Sequence, residues 1–153
     1  MKILQIGAFI GLLDAIAACT NAWFSYGILP HRVWQYVASG LQGKVAYESD
    51  ILPTILGLII HFTIAITTTF VFYLLYKKWG HVLRPVVAAG AIYGVGIWLV
   101  MNYIVIPFSV IGKYPADVLQ ITIGLLIHIF VIGIPMAILV KRRSNTDLKP
   151  SNL

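Results

Sequence analysis

The chain alternates between long apolar runs and short polar breaks. Apolar residues extend from about Ile3 to Phe24, Ile51 to Tyr76, Pro85 to Phe108 and Val118 to Val140. A hydrocarbon core about 30 Å thick needs about 20 helical residues to cross it, and every run meets that length. Lipid offers no water to unpaired backbone N–H and C=O groups, so each run is expected to be a helix that satisfies its own backbone. The period-two alternation of a membrane barrel is missing. The pattern therefore predicts an all-α protein, with a four-transmembrane-helix bundle over 1–143 and a polar cytoplasmic tail over 144–153.

The longest break, Ser25 to Asp50, carries a pattern of its own. After Pro30, the residues Val33, Trp34, Val37, Ala38 and Leu41 share one helical face, while Arg32, Gln35 and Ser39 face elsewhere. Gly40 and Gly43 then close the stretch. This predicts a short amphipathic helix lying on the outer leaflet or capping the bundle. A lid that fixes two helices is the simpler reading, ahead of a substrate gate.

Composition agrees with burial in lipid. Hydrophobic residues make up 59% of the chain and charged residues 10%, against roughly 25% charged in soluble domains. A soluble fold of this size could not hide so much apolar surface. The net charge of +6 sits in short clusters beside the apolar runs. One side collects Lys2, Lys77, Lys78, Arg84, Lys141, Arg142, Arg143 and Lys149. The other has only Arg32, Lys44 and Lys113, alongside Glu48, Asp50 and Asp117. Basic residues are retained in the cytoplasm, so both termini and the 77–84 turn are expected there. Trp23, Tyr26, Trp34, Tyr76, Trp79 and Tyr114 fall near the boundaries, where amphipathic rings settle. Such clusters suit anionic lipid headgroups and argue against nucleic acid.

Cys19 is the only cysteine, so an internal disulfide is excluded. Lys2 and the run ending Ile16-Ala17-Ala18-Cys19 have the look of a lipoprotein processing site. Asp14 interrupts that run, and the apolar pattern continues to Phe24, so the first span is expected to be retained.

Spans two and four resemble each other. Thr54-Ile55-Leu56-Gly57-Leu58-Ile59-Ile60-His61 aligns with Ile121-Thr122-Ile123-Gly124-Leu125-Leu126-Ile127-His128. Spans one and three share Gly7-Ala8-Phe9-Ile10-Gly11 and Gly90-Ala91-Ile92-Tyr93-Gly94. Two related hairpins are expected, with a pseudo-twofold axis along the membrane normal.

Four polar groups lie where lipid makes them costly: Asp14, His61, His128 and Asn102. His61 and His128 each fall ten residues into an inward-running span, about 15 Å deep at 1.5 Å per residue. Asp14 reaches a similar depth from the opposite side, and Asn102 lies nearer the outer face. Gly7, Gly11, Asp14, Ala18 and Asn21 form one stripe on the first span; Thr54, Gly57, His61 and Thr68 form another on the second. Ile121, Gly124, His128 and Pro135 share a face of the fourth. Small residues let helices approach closely, so Gly7, Gly11, Gly57, Gly90, Gly94 and Gly124 are expected at helix contacts. Asp14 and the two histidines are then expected to face the bundle axis.

A packing role comes first for these groups: a neutral histidine donates to Asp14 or a carbonyl and fixes helix register. Proton or ion handling follows, since histidine titrates near neutrality and a buried aspartate can share its proton. A b-type haem between His61 and His128 is a further alternative. Neither a cofactor nor a metal is otherwise expected, because a metal between the histidines would be short of ligands unless Asp14 joined them. No His-Glu-x-x-His, Gly-x-Ser-x-Gly, P-loop or dinucleotide fingerprint occurs, so an enzyme is not expected. Gly90-x-x-x-Gly94-x-Gly96 reads as packing, and Thr67-Thr68-Thr69 as hydroxyls bonded back to helix carbonyls.

Several of these residues recur as a set. Gly11-x-x-Asp14, Pro30-x-Arg32-Val33-x-Gln35-x-Val37-Ala38-Ser39-Gly40-Leu41, Gly57-Leu58-x-x-His61-Phe62, Met101-Asn102-Tyr103 with Pro107, Gly124-Leu125-x-x-His128 and Gly133-x-Pro135 span nearly the whole chain. With these, the sequence resembles a family of small uncharacterised bacterial multi-pass inner-membrane proteins of about this length. The resemblance implies the bacterial inner membrane and the four-span topology, and no reaction. It departs from the family at Tyr47-Glu48-Ser49-Asp50, where a small Gly-rich turn is expected. The leading expectation is a non-enzymatic accessory or scaffolding subunit that meets the bilayer and a membrane-protein partner or a second copy. A proton, ion or small-solute transporter is the alternative.

Overall fold

The computed structural model describes residues 1–80, 82–112 and 117–147, with side chains to residue 145. Lys113, Tyr114 and Lys149, which entered the charge and aromatic patterns above, lie outside the described residues, as does the tail beyond Asp147. Helices α1 (Ile3–Tyr26), α3 (Ile51–Trp79), α4 (Val86–Phe108) and α5 (Val118–Asn145) are each long and apolar enough to cross a membrane. Between the first two lies α2 (Pro30–Gln42), followed by a 3-10 turn over Gly43–Tyr47. No strand occurs among the described residues.

Local chemistry explains where the helices stop. The α1 helix ends at Gly27, whose φ of 63° is left-handed and whose N–H donates to the Trp23 carbonyl. Glycine takes that conformation without a Cβ penalty. Pro30 opens α2 in its first turn, where the missing N–H costs nothing. Two helices outrun their apolar stretches: α3 continues through Lys77 and Lys78 to Trp79, and α5 is helical to Asp147. Lysine and arginine are good helix formers and favour a helix C-terminus, so the helix persists after the lipid-length run is exhausted.

The helices pack as two hairpins, α1 with α3 and α4 with α5, joined through contacts of α5 with α1 and α3. Glycines set both pairings. A Cβ at Gly7 would lie 2.8 Å from the Ile66 Cα, and one at Gly11 would lie 2.9 Å from Phe62. In the second hairpin a Cβ at Gly90 would meet Gly133, and one at Gly94 would meet His128 and Ile129. The two sets correspond in register: each first glycine opposes the residue five after a histidine, and each second glycine the residue one after it. This matched contact pattern supports the expected relationship between the hairpins.

The interior is uneven along the bundle. Ile6, Ile10, Phe72, Tyr76, Ile132, Met136, Ala137 and Val140 form a single core. All come from the half where α1 begins and α3 and α5 end. Toward the α2 end, α1, α2 and the start of α5 border an open cavity instead.

The placement of α2 corrects the face read from its sequence. Trp34 and Ala38 are buried as expected, but Gln35 and Ser39 are buried too, and Leu41 is 69% exposed. The helix is rotated because its backbone is seated on α3, with the Trp34 carbonyl against Gly57. Gln35 turns inward to donate to the Ser49 carbonyl (2.9 Å) and the Asp50 carboxylate (3.2 Å), and it accepts from Arg32 (2.9 Å). Polar side chains thus take buried positions where every bond they need is present.

Two stretches depart from α geometry. Met101–Val105 in α4 and Ile127–Gly133 in α5 are π-helical. Each lies just before a proline, Pro107 or Pro135, which cannot donate to the carbonyl four residues back and crowds it.

Candidate functional site

The small-residue stripe of α1 changes use along its length. Gly7 and Gly11 press against α3, Asp14 faces the histidines, and Ala18 and Asn21 line the cavity. The candidate site is at the junction of packed and open halves.

His61 is held from three sides. Its Nε2 donates to the Gly11 carbonyl across the helix interface at 2.8 Å. Trp34 tilts over the ring at 5.2 Å between centroids, and Phe62 meets it edge-on at 5.3 Å. Its Nδ1 lies 3.9 Å from an Asp14 carboxylate oxygen. Since Nε2 carries the donated proton, Nδ1 of a neutral ring presents its lone pair to Asp14. A lone pair facing an ionised carboxylate is repulsive, and a proton on either group would remove that repulsion. Side-chain exposure is 12% for His61 and 26% for Asp14, which leaves the carboxylate more accessible than the ring.

His128 completes the cluster less directly. Its Nδ1 donates to the Gly124 carbonyl of its own helix at 2.8 Å. The Asp14 carboxylate interacts electrostatically with both His128 and His61. The two histidines therefore differ in attachment although they correspond in the repeat: His61 bonds to a neighbouring helix, His128 to its own turn. The π-helical backbone around His128 accompanies that difference.

Asn102 stands apart. Its amide donates to the Trp98 carbonyl one turn earlier at 2.8 Å, which supplies a local bond in the widened helix. Of the four sequence candidates, three converge and Asn102 serves its own helix. A bis-imidazole haem would have to use Nδ1 of His61 and Nε2 of His128, since the other two nitrogens are bonded to carbonyls. Among the described residues no group of three His, Cys, Asp or Glu side chains is arranged to hold a metal ion.

A cavity that begins at Ala18, one turn of α1 beyond Asp14, has a volume of about 1140 Å³, just beyond the roughly 300–1,000 Å³ of small-molecule sites. Its walls include Ala18, Asn21, Arg32, Tyr36, Asp117 and Gln120. Asn21 of α1 donates to Gln120 of α5 at 3.0 Å, and Gln120 is buried. Asp117 caps α5 by accepting the Gln120 N–H at 2.8 Å.

Three contributors escape the sequence reading. Trp34 reads there as a boundary aromatic on the apolar face of α2, with nothing to pair it with His61, whose ring it covers. Tyr93 donates its hydroxyl to the Thr68 carbonyl at 2.8 Å and ties α4 to α3. Trp98 is buried, and a Cβ at Gly124 would lie 2.9 Å from its ring nitrogen. The signal for all three is a large aromatic opposite a small residue on another span, which one chain cannot pair up by itself.

No family model, curated protein or solved structure matches the chain. The four candidate spans make it an integral membrane protein that crosses a bilayer four times and meets lipid along its apolar flanks.

Proposed function

We propose that this protein is a proton-linked membrane carrier. A small solute enters the cavity at the α2 end, and Asp14, His61 and His128 exchange a proton beneath its floor. The observation that carries the reading is the His61–Asp14 contact of 3.9 Å, with the imidazole anchored through Nε2 on the Gly11 carbonyl so that Nδ1 is the nitrogen turned to the carboxyl group. Ionisable groups buried in membrane spans are functional candidates by default, and proton relays are among their uses. The tight core at one end and the cavity at the other give the bundle an arrangement suited to loading from a single side.

An accessory or self-associating role rests on the glycine stripes, on the lack of catalytic motifs and on soluble segments too short to form a domain. Within the spans, every glycine except Gly96 faces a neighbour inside the same chain. That use of the stripes moves the balance toward the carrier. The test is proton flux into liposomes holding the purified protein, driven by a pH step and read with an internal dye. Asp14→Asn and His61→Ala are expected to lower flux at least tenfold, while Gly96→Ala leaves it unchanged. Equal flux in all variants would remove the carrier.

A further inference from the structure

The cavity sets opposite charges on different elements around a largely apolar interior. Arg32 comes from α2 and Asp117 from the start of α5. Both are held in place without being used up. Arg32 gives one of its N–H groups to the Oε1 of buried Gln35, and a guanidinium has five to offer. Asp117 accepts the Gln120 N–H through Oδ1. No further bond to its second carboxylate oxygen is seen among the described residues. Ala18, Ala22, Ile28, Leu29 and Val33 supply apolar wall between these groups.

We infer that the cavity binds a zwitterionic amphiphile, a molecule with an amino group, an acid group and an apolar body. The acid group pairs with Arg32, whose planar fork suits carboxylate or phosphate. The ammonium pairs with Asp117, and Tyr26 and Tyr47 stand on the same walls. A simple anion would meet Asp117 unfavourably, and a simple cation would meet Arg32. A ligand with both signs meets both groups favourably at once. The inference rests on the carrier reading for its purpose, but not for its geometry. The same chemistry arises in a free amino acid with an apolar side chain and in a phosphoethanolamine headgroup with its acyl chains.

Binding to the full-length protein separates these sources. Radiolabelled leucine is measured by equilibrium binding in detergent. Phosphatidylethanolamine and phosphatidylglycerol adducts are compared by native mass spectrometry. Leucine or phosphatidylethanolamine is expected to bind, and Arg32→Gln and Asp117→Asn are each expected to weaken it roughly tenfold, the loss of one charge-assisted contact. Asparagine caps a helix as well as aspartate does, so Asp117→Asn keeps the start of α5 intact. Lys44→Gln, outside the cavity lining, is expected to bind as the parent does. Leucine alone identifies a free solute, and phosphatidylethanolamine alone identifies lipid. Absence of binding by both probes overturns the inference. So does phosphatidylglycerol binding as tightly as phosphatidylethanolamine with no effect of Asp117→Asn, which would define an anion site. Binding retained in Asp14→Asn without proton flux in the parent would sink the carrier and leave the ligand class standing. Flux without binding would do the reverse.

Discussion

Gly57 and Gly96 sit on apolar helices and look alike in sequence, yet the space beside them differs. A Cβ at Gly57 would collide with the Trp34 carbonyl, a backbone atom with no side-chain freedom to yield, whereas Gly96 has open space around it. Gly57→Ala is therefore expected to lift α2 from α3 and destabilise the protein by about 1–3 kcal/mol, the range for overpacking. Gly96→Ala is expected to be neutral or to stabilise by roughly 0.5–1 kcal/mol, since alanine is the better helix former. Thermal unfolding in one detergent, followed by circular dichroism, compares them directly. Equal melting temperatures would mean that α2 is not seated through Gly57. Because Trp34 also covers His61, loss of stability in Gly57→Ala should come with greater exposure of that histidine.

The elements were legible to different degrees, and the reasons are physical. Four spans and α2 follow from run length and from the Pro30 and Gly43 punctuation, because lipid and backbone bonding leave few alternatives. The convergence of Asp14, His61 and His128 follows from glycine spacing, since close-packed faces turn inward together. The rotation of α2 was not legible, because Gln35 looks polar until the carbonyl of Ser49 and the carboxylate of Asp50 arrive beside it from another element. Removing that anchor should therefore matter more than its polarity suggests. Gln35→Leu leaves the Ser49 carbonyl without its donor and is expected to cost about 1–3 kcal/mol. Limited proteolysis should then cut faster between Gly43 and Asp50, and an unchanged rate would show that Gln35 does not tether this segment. The π-helical turns were equally hidden, although Pro107 and Pro135 announce a break. Pro135→Ala restores an N–H that can bond to the Val131 carbonyl, so α5 is expected to gain up to about 3 kcal/mol. If the carrier needs the widened turn around His128, proton flux in the same variant should fall while the melting temperature rises.

At the scale of the whole molecule, the uneven interior and the charge pattern point along the same axis. The packed core occupies the end bearing Lys2, Lys77, Lys78 and Lys141, and the cavity occupies the end bearing α2. Basic residues are held in the cytoplasm during insertion, so the core should lie at the cytoplasmic side and the cavity should open outward. This orientation decides what the cavity can receive, since a carrier loaded from outside meets a different set of solutes from one loaded within. Single cysteines in a Cys19→Ser background test it in intact cells with a membrane-impermeant maleimide. Lys44→Cys, exposed just beyond α2, is expected to label at once, and Lys78→Cys, at the end of α3, only after the cells are permeabilised. The reverse pattern would invert the bundle, put the cavity in the cytoplasm and make Arg32 and Asp117 read an internal ligand. Labelling of both positions in intact cells would be more damaging, because a single four-span topology could not produce it.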